Sequence, residues 1–255
     1  MARARQEVAV TRAATPEALL RKATLAKTSG LRAKYAQRGL ECRTGLDRTT
    51  RVMLLRQLYL SDMEKRLFGD ALKVARDMIG LSVMPDVAHQ DAARACLGLG
   101  DVENAVHHLR LAGRACPPSR RAFHLWTLGS ALYLNGDYAS AVGVLARAAR
   151  WGTTDKPLYQ AQAALARVAG GDAVADLRRA RERLEDAPCG QGYGQFVLGE
   201  LSYHLGDFAA ARIYLRAFVK RSTGGRVALQ VALAGEIARA RGLLARLRTG
   251  QRSAR

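Results

Sequence analysis

One pattern of apolar residues, glycine and aspartate returns at regular intervals along this chain of 255 residues. In its clearest copy, Leu125 to Ala148, the pair Gly136-Asp137 separates two segments whose apolar residues recur at helical spacing. The same arrangement returns 70 residues later around Gly206-Asp207, 36 residues earlier around Gly100-Asp101, and less regularly over residues 58–78. A fixed period of about 35 residues predicts stacked copies of one helix–turn–helix unit.

Small residues stand at corresponding places in both helices of each predicted unit. They are Ala93, Gly129 and Gly199 in the first helices, and Ala105, Ala141 and Ala211 in the second helices. Because small side chains allow two helices to approach closely, we expect these residues to face one another where the helices cross. The glycine of each Gly-Asp pair is suited to end the first helix, and the aspartate is suited to cap the second.

These residues resemble the tetratricopeptide repeat (TPR) of bacterial TPR proteins, a 34-residue helix–turn–helix unit. The resemblance covers roughly residues 16–247, and Pro117 occupies the position where the family's repeats end. Two weaker units complete the pattern: one lies between the strong copies, with Asp176 where a small crossing residue is expected, and one lies at the front, over residues 16–42. The resemblance implies an all-α, right-handed α-solenoid of about six repeats, closed by a C-terminal capping helix from Arg226 to Leu247. The alternative is a non-repetitive helical bundle.

Basic residues concentrate at both ends of the chain, which has a net charge of +19. Residues 212–255 contain 11 lysines and arginines against one acidic residue, whereas residues 51–211 are nearly neutral. We predict three parts: a flexible basic arm over 1–15, a TPR-like domain over 16–247 and a basic, disordered tail over 248–255. Such ends suit phosphate contacts, but an arginine- and alanine-rich composition also fits a GC-rich coding bias.

The sequence lacks the residues that several classes of function require. No stretch reaches the roughly 18 apolar residues of a membrane span, and the first 15 residues lack the apolar core of a secretion signal. The four cysteines are far apart, and the adjacent His107 and His108 point in different directions on a helix, so we predict no metal site. No phosphate loop, nucleophile elbow or catalytic dyad is present, which predicts a non-enzymatic protein without a cofactor. The separated cysteines indicate free thiols in a reducing compartment, which predicts a cytoplasmic protein.

Two sets of three aromatic residues repeat with an offset of 70 positions in the predicted first helices. In stacked repeats of this kind the first helices line the inner, concave surface. We therefore predict a partner-binding groove lined by Phe123, Trp126, Tyr133, Tyr193, Phe196 and Tyr203. Aromatic anchors would supply most of the binding energy for a peptide or helix. The alternative is that the register is shifted and these rings pack between the repeats.

The resemblance implies a non-catalytic protein–protein interaction module, a scaffold or adaptor that holds a partner's peptide segment or helix in this groove. One alternative is a nucleic-acid-associated factor in which Arg239, Arg241, Arg246 and Arg248 contact phosphates. Another is an assembly or secretion chaperone. The carboxylate clamp of co-chaperones in the family is not supported, because this chain's two asparagines fall at turn or second-helix positions.

Overall fold

Helices alone make up the regular structure in a computed structural model that describes residues 15–174, 176–225 and 227–252. Within these ranges there are fourteen α-helices, one short 3-10 helix (Pro188–Gly190) and no strand. The α-helices are α1 Pro16–Thr24, α2 Ser29–Leu40, α3 Arg48–Glu64, α4 Phe68–Leu81, α5 Pro85–Gly98, α6 Val102–Ala115, α7 Pro118–Leu134, α8 Tyr138–Trp151, α9 Lys156–Ala169, α10 Leu177–Glu185, α11 Gly194–His204, α12 Phe208–Thr223, α13 Val227–Ala232 and α14 Ala234–Arg252.

The first twelve helices form six consecutive hairpins, from α1–α2 to α11–α12. Each hairpin packs mainly against the hairpins before and after it in the chain, so the contacts run along a row of neighbours. One apolar core extends from Val52 of α3 through the following hairpins and includes Leu243 of α14. Because a single hairpin leaves one apolar side uncovered, stacking is what buries it. The predicted all-α solenoid of about six repeats is therefore confirmed.

The turn inside the three most regular hairpins has the geometry predicted from the Gly-Asp pairs. Gly100, Gly136 and Gly206 have φ angles of 78°, 83° and 76°, in the left-handed region that a side chain disfavours. The following aspartates accept hydrogen bonds of 3.0–3.2 Å from backbone N–H groups three residues later, at the start of α6, α8 and α12. The sequence thus determines where each of these second helices begins.

The close approach between the helices of a hairpin involves a different pair of residues from the predicted one. A Cβ atom on Gly129 would lie 2.6 Å from Cγ of Leu145, and one on Gly199 would lie 2.6 Å from Cγ of Leu215. Ala141 and Ala211 are buried, yet each lies one helical turn before the leucine that fills the space above the glycine. The glycines therefore make room for a leucine of the second helix.

The C-terminal region differs from the single capping helix that the sequence predicted. Its helix is divided at Leu233 into α13 and α14. Helix α14 continues to Arg252, which places residues 248–252 in a helix and not in a disordered tail. Residues 1–14 of the predicted arm and 253–255 of the predicted tail lie outside the described residues.

Candidate functional site

Polar side chains join the first helices of successive hairpins. We call the surface that α3, α5, α7, α9 and α11 form at these contacts the inner face. At its N-terminal end, Asp91 of α5 is fully buried. It accepts a 3.0 Å hydrogen bond from Arg56 of α3, and its backbone carbonyl accepts a 2.8 Å bond from Tyr59. Burial raises the pKa of Asp91, while the nearby arginines act in the opposite direction. The contact joins helices whose residues are separated by one repeat length.

A second contact of this kind joins α5 to α7. The buried carboxylate of Asp86 lies 3.0 Å from the guanidinium of Arg120 and 3.1 Å from Nε2 of His124. The other ring nitrogen of His124 lies 3.1 Å from Oε1 of Gln90. Burial is the main cause that lowers the pKa of His124. All polar atoms of this imidazole are therefore engaged within the protein, which is an arrangement for packing two repeats together.

Gln162 of α9 makes the third contact, between α7, α9 and α11. Its Oε1 accepts a 2.8 Å hydrogen bond from the indole N–H of Trp126, and its amide nitrogen donates to Ser130 at 3.1 Å. The same amide lies 3.5 Å from the hydroxyl of Tyr193, which lies 3.3 Å from Oε1 of Glu236 in α14. Burial raises the pKa of Glu236 to about 7. The polar contacts thus continue from the repeats into the C-terminal segment.

Arg239 of α14 reaches the inner face at a fourth contact. Its guanidinium pairs with the fully buried carboxylate of Glu200 in α11, and also donates a 2.8 Å hydrogen bond to the hydroxyl of Tyr133 in α7. The guanidinium lies 4.7 Å from the centre of the Tyr133 ring, a distance suited to a cation–π interaction. Tyr133 in turn donates a hydrogen bond to Glu200. The buried carboxylate is therefore paired with both a cation and a hydroxyl, as its low-dielectric surroundings require.

The C-terminal segment, α13 with α14, crosses the inner face. Helix α13 contacts α3 as well as α12, and α14 packs on α12 and α11. At the start of α14 a Cβ atom on Gly235 would lie 3.3 Å from Leu134 at the end of α7. One side of α14 is apolar and buried: Ile237, Ala240, Leu243 and Leu247. Elements that are far apart in sequence are thereby joined by this one segment.

The structure brings four of the six predicted groove residues together, although not on an open surface. Ring centroids are 5.9 Å apart for Phe123 and Trp126, 4.8 Å for Trp126 and Tyr193, and 5.7 Å for Tyr193 and Phe196. Phe123 is 38% exposed, and Trp126 and Tyr193 are partly buried. These three side chains form the accessible part of the cluster.

The prediction that all six aromatic rings line an open groove is wrong for two of them. Phe196 is completely buried and packs on Phe218 of α12, with the ring centroids 5.3 Å apart. Tyr133 is also completely buried, under Arg239. Tyr203 is partly buried at the far end of α11, where its ring neighbours Phe208. The reasons differ: the C-terminal segment covers Tyr133, whereas Phe196 lies one turn before Gly199 on the side of α11 that packs on α12.

Of the predicted phosphate-contacting arginines, one is engaged within the protein and three are exposed. Arg239 is engaged with Glu200 and Tyr133 inside the protein, so its assignment as a surface phosphate contact is wrong. Arg241, Arg246 and Arg248 are exposed on the other side of α14. In the described part of the chain none of these three forms an ion pair.

The remaining chemically active side chains form small groups. His89 of α5 and His108 of α6 approach with their Nδ1 atoms 3.0 Å apart, and burial lowers the pKa of both. Among the described residues no group of three or more histidine, cysteine or acidic side chains could hold a metal ion. Nor does any described helix combine the length and the apolar character needed to cross a bilayer.

Sequence reasoning missed the acidic and amide groups of the inner face, although a signal for two of its polar residues, Ser130 and Glu200, was present. The residue that follows each small crossing position is polar in all three strong repeats: Arg94 after Ala93, Ser130 after Gly129 and Glu200 after Gly199. A polar residue repeated on the apolar side of a helix indicates a buried polar contact. Arg239, the partner of Glu200, lies outside the repeats, so the repeat pattern did not indicate it. Comparison of the chain with family models and with curated proteins gives no match.

Proposed function

We propose that this chain is a non-catalytic protein-binding scaffold of the TPR type, whose inner face binds a helical segment of a partner. The observation that carries the proposal is the pairing of Arg239 with Glu200 and Tyr133, through which the inner face already holds a helix. A surface with a buried carboxylate, a tyrosine hydroxyl and an aromatic ring is specific for an arginine at one defined position along a bound helix. We expect the chain to act in the cytoplasm.

The chemistry of the bound helix describes the partner that the inner face suits. In α14 the arginine lies two residues after one buried aliphatic residue, Ile237, and four before another, Leu243. A partner helix with an arginine flanked in this way would bury its aliphatic residues on the repeats while its guanidinium met Glu200. Such a partner competes with α14, which is covalently attached and so has a high effective concentration, on the order of millimolar.

Two aromatic side chains offer a first point of contact that does not require α14 to leave. Phe123 is the most exposed ring of the aromatic cluster, and Trp126 beside it keeps part of its surface accessible. Aromatic residues at a partly exposed edge contribute strongly to interfaces because they bury much area with little loss of rotamer entropy. A partner would engage this edge first and displace the C-terminal segment afterwards.

The test uses the full chain and a fluorescent peptide with the sequence of residues 226–250 as the probe. Arg239→Ala weakens the attachment of the chain's own helix, so we expect it to bind the peptide at least tenfold more tightly than wild type does, by fluorescence anisotropy. Adding Glu200→Gln to Arg239→Ala removes the receiving carboxylate and should abolish that gain. Arg241→Ala, an exposed arginine on the same helix, is the matched control and should behave as wild type.

The proposal fails if Arg239→Ala, with its helical circular dichroism unchanged, binds no more peptide than wild type. Partner recovery from a nuclease-treated lysate follows, with Arg239→Ala and Arg239→Ala/Glu200→Gln as paired baits. A protein recovered by the first bait and lost with the second would be a ligand of the inner face. Equal recovery by both baits would argue for binding elsewhere on the chain.

A second candidate function is nucleic-acid association, which the exposed Arg241, Arg246 and Arg248 favour. Their contacts with phosphates would release counterions, so binding of a 20-nucleotide DNA should fall steeply between about 50 and 200 mM salt. Peptide binding to the inner face should change much less over the same range. Replacement of the three arginines by alanine separates the two functions, because it leaves the Glu200 site intact.

A further inference from the structure

The fifth hairpin, α9–α10, is more open than the others. Seven residues, 170–176, separate its helices, whereas three residues separate α5 from α6, α7 from α8 and α11 from α12. Helix α10 has only nine residues, of which Leu177 and Leu184 are buried. It also packs less extensively on its partner than the second helix of any other hairpin does. The position that carries a small buried residue in the other second helices is the exposed Asp176, which lies just outside α10.

The opening leaves a cavity of about 500 Å³ between α8, α9 and α10, on the side of the repeats formed by second helices. Its floor consists mainly of methyl groups: Ala146, Ala149, Ala161, Ala163, Ala164 and Ala180. The lining extends along α9 from Lys156 to Arg167, a length of about 16 Å. That length corresponds to about three turns of a helix. Because alanine side chains are short, another backbone could approach α9 closely along this floor.

Five cationic side chains surround the floor, and all of them are exposed: Arg150, Lys156, Arg167, Arg179 and Arg183. The only acidic residue in the lining is Asp176. In the part of the chain that the structure describes, none of the five cations lies in an ion pair. Arg181 on the same short helix behaves differently, because its guanidinium pairs with Asp207 at 2.9 Å. The cavity thus combines a strong positive potential with an apolar base.

We infer that this cavity binds an acidic segment of a partner protein, with carboxylates that meet the five cations and small side chains that rest on the alanine floor. Charge complementarity selects an anion, and the methyl floor favours a peptide over a nucleic acid. The lining contains no aromatic ring on which a base could stack, and stacking is the usual source of affinity for single strands. This site is separate from the inner face and from the segment α13–α14, so its test does not depend on the proposed function.

The test measures binding of a fluorescent 20-residue peptide of glutamate and alanine to the full-length chain at about 150 mM salt. Arg179→Glu/Arg183→Glu reverses two cations of the cavity, and Arg241→Glu/Arg246→Glu is the control because it alters the net charge equally on α14. We expect the cavity variant to bind at least tenfold more weakly and the control to change less than twofold. Equal loss in both variants, or a wild-type Kd above about 1 mM, would overturn the proposal.

A third variant, Ala164→Leu, tests the floor without a change of charge and without depending on whether the double variant folds. We expect it to weaken peptide binding about threefold or more, because a larger side chain fills the cavity, and unchanged binding would contradict the assignment. Parallel titrations use a 20-nucleotide single-stranded DNA and vesicles of anionic phospholipid. If either binds more tightly than the peptide and loses affinity in Arg179→Glu/Arg183→Glu, the site is for phosphate groups and the inference of an acidic protein segment is wrong.

Discussion

The indole N–H of Trp126 donates a 2.8 Å hydrogen bond to Oε1 of Gln162, a completely buried side chain 36 positions later in the sequence. The contact links the first helices of two successive hairpins, α7 and α9. It also means that the polar group of Trp126 is already used within the protein. A partner at this edge would therefore bind the face of the ring, next to the more exposed Phe123.

Replacement of Gln162 by leucine should destabilise the chain by about 1–3 kcal/mol, because the N–H of Trp126 and the buried hydroxyl of Ser130 would lose their partner. The matched control is Gln160→Leu, on the same helix but exposed, which should change the free energy of unfolding by less than about 0.5 kcal/mol. Urea unfolding followed by tryptophan fluorescence measures both variants. Similar values for the two would show that the contact with Trp126 contributes nothing to stability.

The two phenylalanines of the aromatic cluster should affect different properties, one the stability of the fold and the other the binding of a partner. Phe196→Ala removes a fully buried ring that packs on Phe218, and we expect a loss of about 3–5 kcal/mol. Phe123→Ala removes a ring that is 38% exposed, so its effect on stability should be much smaller and its effect on partner binding larger. Chemical denaturation and peptide anisotropy on the same two variants separate these effects. A Phe123→Ala variant as unstable as Phe196→Ala would contradict the assignment of Phe123 to the accessible edge.

Gly129 should tolerate no side chain. A Cβ atom there would lie 2.6 Å from Cγ of the fully buried Leu145, so Gly129→Ala should cost about 1–3 kcal/mol although alanine is the better helix former. Gly143→Ala, in the neighbouring helix α8, has open space around the new methyl group and should be neutral or stabilising by up to about 1 kcal/mol. Thermal unfolding of both variants gives the comparison. A neutral Gly129→Ala would mean that α7 and α8 can separate without loss.

The attachment of α14 should weaken as the pH rises. Burial raises the pKa of Glu236 to about 7, against an ordinary value of 4.5, and the groups around it are the Tyr193 hydroxyl, Arg94 and Glu200. A carboxyl whose pKa is raised in the folded state stabilises that state below its ordinary pKa, and this contribution is lost as the pH rises through about 7. Hydrogen exchange of the α14 amides, corrected for intrinsic rates, should therefore show more frequent opening at pH 8 than at pH 6.

Glu236→Gln provides the control for this pH dependence. The variant keeps a hydrogen-bonding group beside Tyr193 but carries no titrating proton, so its α14 protection should be nearly constant between pH 6 and 8 and higher than wild type at pH 8. Histidines with lowered pKa values, such as His124 and His204, remain in both proteins, so their contribution cancels in the comparison. Parallel pH profiles for wild type and variant would assign the effect to another group.

The sequence alone determined the repeat and its local geometry. Gly-Asp pairs fix the turns because the glycine adopts a positive φ and the aspartate caps the next helix, and both effects operate within a few residues. Small residues at Gly129 and Gly199 indicated correctly where helices approach closely, since no larger side chain fits there. These features recur in each repeat, so the repeats of one chain show the same relation between sequence and geometry several times.

The tertiary structure decided which residues of the inner face stay accessible. Whether Tyr133 lies at a surface depends on where α13 and α14 pack, and that segment is not a repeat, so no other part of the chain offers a comparison. Phe196, in contrast, is buried against Phe218 of its own hairpin. Its position follows from Arg239, which meets Glu200 at a distance of 39 residues and Tyr133 at 106. Periodicity reports local spacing only, whereas a buried ion pair forms wherever folding brings a cation to a carboxylate that has no other partner.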